Sequence, residues 1–180
     1  MPEIETSRLR LRLPTPDDLD DLAAVFADPV VMKFIGLEAG VTLSRAESAT
    51  ALEKMIAFWQ QNGFGRWIVM EKERGIVIGL CGLRQFDDTP ELFYLFEQAS
   101  WGKGFAAEAA SAVLRYAFKE LQMERIIAGI RPGNTNSINV VNKIGMRPET
   151  ESNPYGVDGL CYVATRAEFD LPESNETKPE

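Results

Sequence analysis

The sequence predicts a mixed α/β domain built on a mostly antiparallel sheet, and three observations predict it. Apolar residues make up 45% of the 180 positions, enough for one sizeable globular core. The first half reads as an antiparallel meander with helices set into it, whereas a doubly wound fold would alternate β and α from the start. The second half reads strand, glycine turn, long helix, strand, short helix, a β-α-β-α unit with parallel character. Residues 1–169 form the domain, and 170–180 form an acidic tail expected to be disordered.

Taken in order, Thr6 to Leu13 alternates Arg8, Arg10 and Arg12 with Leu9, Leu11 and Leu13, a strand with one wet face. Thr15-Pro-Asp-Asp18 starts a helix that carries Leu19, Leu22, Ala23 and Phe26 and stops near Asp28-Pro29. Ser44 to Glu47 is a capping box, and the helix behind it ends at Gly63. Arg66–Met70 and Ile76–Phe86 make a hairpin, in which Gly79 and Gly82 suggest a bend or close approach. The aromatic run Glu91–Phe96 is a buried strand. Behind it, Ala106, Ala110, Val113, Leu114, Ala117, Phe118 and Leu121 form one helical stripe. A strand at Arg125–Ile130, a short helix from Asn134 or Asn136 to Lys143, and strands at Met146–Glu151 and Leu160–Phe169 complete about four helices and one sheet.

Composition excludes several functions. No run of about 18 apolar residues exists to span a membrane. No secretory leader precedes the acidic start, so a cytoplasmic location is expected. Net charge is −8, of which the tail contributes −3; a nucleic-acid binder would show the opposite sign, and an acidic surface attracts cationic partners. The absence of histidine removes Ser-His-Asp and Cys-His nucleophiles and imidazole metal ligands. Cys81 and Cys161 are unspaced for metal and are expected as reduced thiols, and whether they lie near each other is open. No metal is expected.

One stretch is dense in chemistry. Gly102-x-Gly104 sits between the strand Glu91–Phe96 and the long helix. Glycines let a backbone approach a ligand, and the first N–H groups of a helix favour an anion. A plain tight turn is one reading. The spacing does not fit a Walker phosphate loop. Gly102, Gly104 and Ala107 satisfy a dinucleotide fingerprint, but Arg131, not an acid, closes the next strand. A coenzyme A loop is the remaining reading.

Trp101-Gly-Lys-Gly-Phe-Ala106, followed by Ala107-Glu108-Ala109, resembles the acetyl-CoA loop of the GNAT acetyltransferases. Asn134-Thr-Asn-Ser137 and Asn142-Lys-Ile-Gly-Met146 resemble the second signature of the ribosomal-protein N-acetyltransferase (RimJ/RimL-like) branch. The likeness spans Glu5 to Phe169. It implies a GNAT fold whose central strands, Glu91–Phe96 and Arg125–Ile130, splay to admit the pantetheine arm. It implies acetyl-CoA as cosubstrate, held by Phe96, Glu97, Trp101, Gly102, Lys103, Gly104, Phe105, Ala106, Asn134, Ser137 and Asn139.

The family's reaction moves acetyl from a thioester to an amine in one ternary complex. Glu91 is the candidate base, since an apolar cleft raises a carboxylate's proton affinity. Glu97 or water is the alternative. A main-chain N–H near Leu95 is the candidate oxyanion donor, if the splay leaves it unpaired. Many family members use a Tyr where this chain has Val141, and Ser137 is the candidate proton donor to the leaving thiolate instead. Glu108 and Arg115 are expected to face solvent; Phe34, Trp59, Phe64 and Trp67 are expected in the core and, second, on the acceptor wall. The acceptor is an amine, with a peptide N-terminus or a small-molecule α-amine favoured, and the chain a monomer or homodimer. The alternative is a non-catalytic acyl-CoA sensor, and behind it a dinucleotide-dependent oxidoreductase.

Overall fold

The computed structural model describes residues 2–36, 38–150 and 159–169. An eight-stranded sheet forms its centre, in the order β1-β2-β3-β4-β5-β6-β8-β7. The strands are β1 (Ile4–Glu5), β2 (Leu9–Arg12), β3 (Arg66–Glu71), β4 (Ile76–Phe86), β5 (Thr89–Phe96), β6 (Arg125–Ile130), β7 (Arg147–Glu149) and β8 (Leu160–Thr165). Every neighbouring pair is antiparallel except β5 and β6. The helices are α1 (Leu19–Ala27), α2 (Pro29–Met32), α3 (Arg45–Asn62), α4 (Phe105–Lys119), α5 (Thr135–Lys143) and α6 (Arg166–Phe169).

Period-two alternation in the strands sends side chains to two cores. On one face Leu22, Phe26, Leu52 and Met55 of α1 and α3 pack on Ile68, Leu80, Phe93 and Leu95. On the other, Phe105, Ala110, Val113, Leu114 and Phe118 of α4 pack on Leu11, Trp67, Val69, Leu83 and Ile126. Trp59 and Trp67 meet edge to face at 4.6 Å in this second core, so Trp67 is core and not acceptor wall. Close packing of β4 on β5 is possible because Gly79 has no side chain. A Cβ there would lie 2.1 Å from the Leu95 carbonyl oxygen. Cys81 and Cys161 are free and belong to opposite faces of the sheet.

Two single-turn helices add to the four expected. Asp28 does not only end α1: its carboxylate accepts from the N–H of Val30 and Val31, and Pro29 takes the first position of α2. The strand expected to reach Phe169 turns helical after Thr165, whose hydroxyl bonds Glu168 Oε2 at 2.6 Å while Glu168 N–H returns to Thr165. Thr165-x-x-Glu168 is thus a capping box. Of the expected strand Thr6–Leu13 only Leu9–Arg12 is β2; Thr6, Ser7 and Arg8 make the turn that joins it to the added strand β1. The predicted strand end at Glu151 and the tail 170–180 lie outside the described residues. Among the described residues, no helix is long and apolar enough to cross a membrane.

That β1–β2 turn is latched to α4 by Glu108, which is not a solvent residue. Its Oε1 accepts from Thr6 Oγ1 (2.6 Å), Ser7 Oγ (3.2 Å) and Arg8 N–H (3.0 Å), and its Oε2 from Arg8 Nε (2.6 Å). Arg8 also donates from Nη1 to the Lys103 carbonyl at 2.9 Å and lies 4.6 Å over the Phe105 ring. The latch therefore braces the glycine loop from behind. Burial alone would raise the Glu108 carboxyl, but the bonds from Thr6 and Arg8 outweigh it and hold the group below the ordinary range. A depressed carboxyl contributes stability above its unfolded pKa and loses it as pH falls through the folded value. Glu108→Gln should lower Tm at pH 7 by about 5 °C, or roughly 2 kcal/mol, and the gap to wild type should close below about pH 4. Thermal melts from pH 3 to 8 check this.

Candidate active site

The site begins where two strands stop pairing. β5 and β6 run parallel and share one register pair among the described residues, Glu91 with Ile127. Beyond it they part. The N–H of Glu97 donates to the Ile78 carbonyl at 2.9 Å, which fixes the alternation along β5. In that register Leu95 pairs with Leu80, so its N–H turns toward β4 and not into the gap. The amides of its neighbours Tyr94 and Phe96 turn toward β6 and the opening. The Phe96 carbonyl on that side accepts the Trp101 indole N–H at 2.9 Å, which closes the loop leading to α4.

A cavity of about 530 Å³ opens from this gap. One wall is the start of α4. Gly102 and Gly104 hold φ of +74° and +81°, and Gly104 caps the helix without a side chain. The N–H groups of Phe105, Ala106 and Ala107, all cavity-lining residues, have no partner within the helix. The opposite wall is α5, whose cap Asn134 accepts from the Ser137 N–H at 3.3 Å. Trp101, Asn136 and Asn139 lie along the rim, and Lys33, Phe34 and Ile35, just after α2, form the third side. Among the described residues, Lys33 and Lys143 line the cavity and no carboxylate does, in a chain of net charge −8. Two expected contacts lie outside it. Lys103 is exposed with its ammonium 5.9 Å from the Phe105 ring. Glu97 bonds Ser100 Oγ at 2.9 Å and faces Arg74 at 3.6 Å.

A smaller cavity of about 40 Å³ sits deeper, lined by Glu91, Phe93, Tyr94, Arg131 and Ser137 with Phe34 and Ile35. Glu91 is 2% exposed and doubly paired: Arg84 Nε donates to Oε2 at 2.5 Å and Nη2 to Oε1 at 3.0 Å. Gly129 N–H adds a bond to Oε1 at 3.3 Å. The Tyr94 hydroxyl donates to the Ser137 carbonyl at 3.3 Å, and burial pushes it well above the usual phenol range. Ser137 Oγ lines both cavities and makes no hydrogen bond among the described residues. Val141, in place of the family's Tyr, is fully buried in the α4-side core.

Of the third side, the sequence pointed to Phe34, expected second as acceptor wall; Arg84, Tyr94, Arg8, Lys33 and Ile35 were missed. Arg84 carried a signal, a guanidinium that follows the apolar run Ile76–Leu83 within the strand pattern. Tyr94 carried one too, because strand parity puts it with Leu92 and Phe96 on the face opposite Glu91. Arg8, Lys33 and Ile35 reach the site only through tertiary packing, so no local pattern marks them.

Comparison with known proteins agrees with this geometry. Residues 8–147 match the family described as Acetyltransferase (GNAT) domain. The chain is 32% identical over 152 residues to the uncharacterized N-acetyltransferase p20 of Bacillus licheniformis, covering 83% of this chain and 84% of the relative. An acetyltransferase (GNAT family) crystal structure from Bacillus anthracis superposes with a TM-score of 0.79 at 28% identity, over 92% of this chain and 99% of that one. RimL, a ribosomal L7/L12 alpha-N-protein acetyltransferase solved with coenzyme A, shares the fold with a TM-score of 0.77 at 13% identity, over 91% and 98% of the two chains. A splayed β5–β6 gap facing a glycine-capped helix, together with a family match over most of its length, makes this chain a member of the GNAT acetyltransferase family and an acetyltransferase enzyme.

Proposed function

We propose that the chain is an acetyl-CoA-dependent N-acetyltransferase of the RimJ/RimL-like branch, which acetylates a primary α-amine by direct attack in a ternary complex. One observation carries the reading: among the described residues, free helix-start amides, two lysines and no carboxylate line a large cavity at the strand gap of an acidic protein. That donor set fits a cosubstrate with anionic phosphates at one end and a slender arm at the other. Phe105, Ala106 and Ala107 would hold the phosphates through their amides, with Trp101 and Lys33 beside them. Phe96, Asn134 and Asn139 would flank the arm.

When bound, acetyl-CoA supplies an activated acetyl thioester. Tyr94 N–H, turned into the gap next to Leu95, is positioned to stabilise negative charge on a carbonyl oxygen there. Ser137 Oγ is free to give a proton to a departing thiolate. Tyr94 Oη and Asn134 hold the backbone of Ser137 from two sides, which keeps that hydroxyl at the gap. Among the described residues Glu91 is the one carboxylate beside the gap, and both its oxygens are engaged by Arg84 and Gly129. We assign it to holding that wall, with water taking the amine's proton. A site of that kind favours an amine already partly unprotonated. At pH 7 roughly a tenth of an α-amine of pKa ~8 is free base, against about four in ten thousand of a Lys amine.

Thiol release across a panel of peptide, amino-acid, polyamine and Lys-side-chain amines tests the reading. α-Amines should turn over at least tenfold faster in kcat/KM than Lys side chains at pH 7; a preference for Lys or polyamine would overturn the acceptor class. Gly104→Val, at a φ of +81°, should weaken acetyl-CoA binding at least tenfold in calorimetry, about 1.4 kcal/mol, without unfolding the protein. Asn134→Ala should raise the KM for acetyl-CoA, and Ser137→Ala should lower kcat. Full kcat in Ser137→Ala, with chemistry rate-limiting, would assign that serine to structure alone. In Glu91→Gln the loss of kcat/KM should be flat from pH 6 to 9.5. A loss concentrated below the amine's pKa would make Glu91 the base instead.

A further inference from the structure

Arg66 is an exception to how this chain treats its arginines. Arg8 meets Glu108, Arg12 meets Asp18, Arg84 meets Glu91, Arg125 meets Glu149 and Arg147 meets Glu168. With 27 acidic residues against 19 basic ones, carboxylates are plentiful. Yet among the described residues the Arg66 guanidinium has neither an ion pair nor a hydrogen bond. It stands over the Phe93 ring, 5.5 Å from its centre, and Arg84 stands over the same ring at 4.9 Å. Two guanidiniums therefore lie against one aromatic ring, and of the two only Arg84 is paired with a carboxylate, Glu91. Burial first, and the neighbouring Arg84 charge second, push Arg66 down to about 10, so it still carries its charge at neutral pH.

The position of this cluster gives it meaning. Arg66, Gly82 and Phe93 lie in one row across β3, β4 and β5. Gly82 places no side chain between the other two. Phe93 and Glu91 also line the small cavity at the gap, where Ser137 and Tyr94 stand. The row faces the α1–α3 side of the sheet, where Ile68, Phe93 and Leu95 are packed, while the helix-start amides of α4 lie on the other side. Arg66 is half-buried; a partly desolvated cation without an internal partner is costly to the free protein, and an anion supplied from outside lowers that cost. Arginine over an aromatic face presents its planar fork edgewise to such an anion.

We propose that the acceptor amine carries a carboxylate, which seats on Arg66 over Phe93 and beside Arg84. This rests on the acetyltransferase reading and narrows its acceptor. Overall acidity would favour a cationic acceptor; the local field on this wall favours a zwitterionic one.

The experiment uses the full chain and Arg66→Met. Without ligand the variant should melt at the wild-type temperature or a few degrees above, because an unpaired, half-buried charge is gone; a fall of more than about 3 °C would mean Arg66 is a structural cation and would overturn the proposal. Acceptors are matched in amine basicity: alanyl-glutamate amide against alanyl-glutamine amide, and alanyl-alanine against alanyl-alanine amide. The first pair tests a side-chain carboxylate, the second a terminal one. Wild type should prefer the acid at least tenfold in kcat/KM in one pair, and Arg66→Met should lose that preference. Equal rates for acid and amide in both pairs, or a preference that survives Arg66→Met, would overturn it. The N-acetylated first pair, added to CoA-loaded protein, gives a readout without turnover. The acid should raise the wild-type Tm more than the amide, with no difference in Arg66→Met; equal shifts in wild type overturn the carboxylate seat even in an enzyme that acetylates every amine offered.

Discussion

A sheet whose two central strands pair at one position and then separate has main-chain amides facing an opening instead of a neighbour. Buried backbone groups need partners, so such a gap persists only where the surrounding structure holds it. Here the surrounding structure does so on every side. Gly79 lets β4 lie tight on β5, which keeps β5 fixed from its paired edge. Trp101 takes the Phe96 carbonyl and turns the chain into the glycine loop. Tyr94 reaches across to α5, so the helix beyond the gap is tied to the strand before it. The Glu91–Arg84 pair, with the Gly129 amide, marks the point where the strands are still joined. Opening, loop and both helix starts are consequences of one unpaired stretch.

Charge is organised locally against the sign of the whole. Carboxylates that could repel a phosphate are committed as struts: Asp18 holds Arg12 and the Thr15 turn, Glu108 holds the β1–β2 turn, and Glu97 holds Ser100. Among the described residues, the charged groups lining the large cavity are lysines. Screening in salt limits the reach of the distant negative charges to about 8–10 Å, so the field at the cavity is set by its own lining. Net charge read from composition describes how the protein meets solvent, and says little about what its cavity receives.

Much was legible along the chain because it is governed by local physics. Helix boundaries followed from Ser44-x-x-Glu47 and Gly63, strand faces from alternation, and the glycine loop from two residues that tolerate positive φ. The failures were local signals left unread. Asp28-Pro29 caps a second helix as well as ending the first, and Thr165-x-x-Glu168 is a capping box at the end of a strand pattern.

By itself, the sequence determined the element types, the two core faces, the glycine-capped start of α4 and the family to which these belong. Periodicity, capping and turn chemistry act within a few residues, so the linear order carries them. Tertiary structure alone decided which groups are free to act. The register of β4 on β5 turns the amides of Tyr94 and Phe96, and not that of Leu95, into the gap. Packing across the sheet gives Glu91 to Arg84 and Glu108 to Arg8, and leaves Arg66 over Phe93 with no carboxylate partner among the described residues. Partners of that kind come from strands and turns up to about a hundred residues away, and hydrogen bonding and charge pairing are settled only where those segments meet.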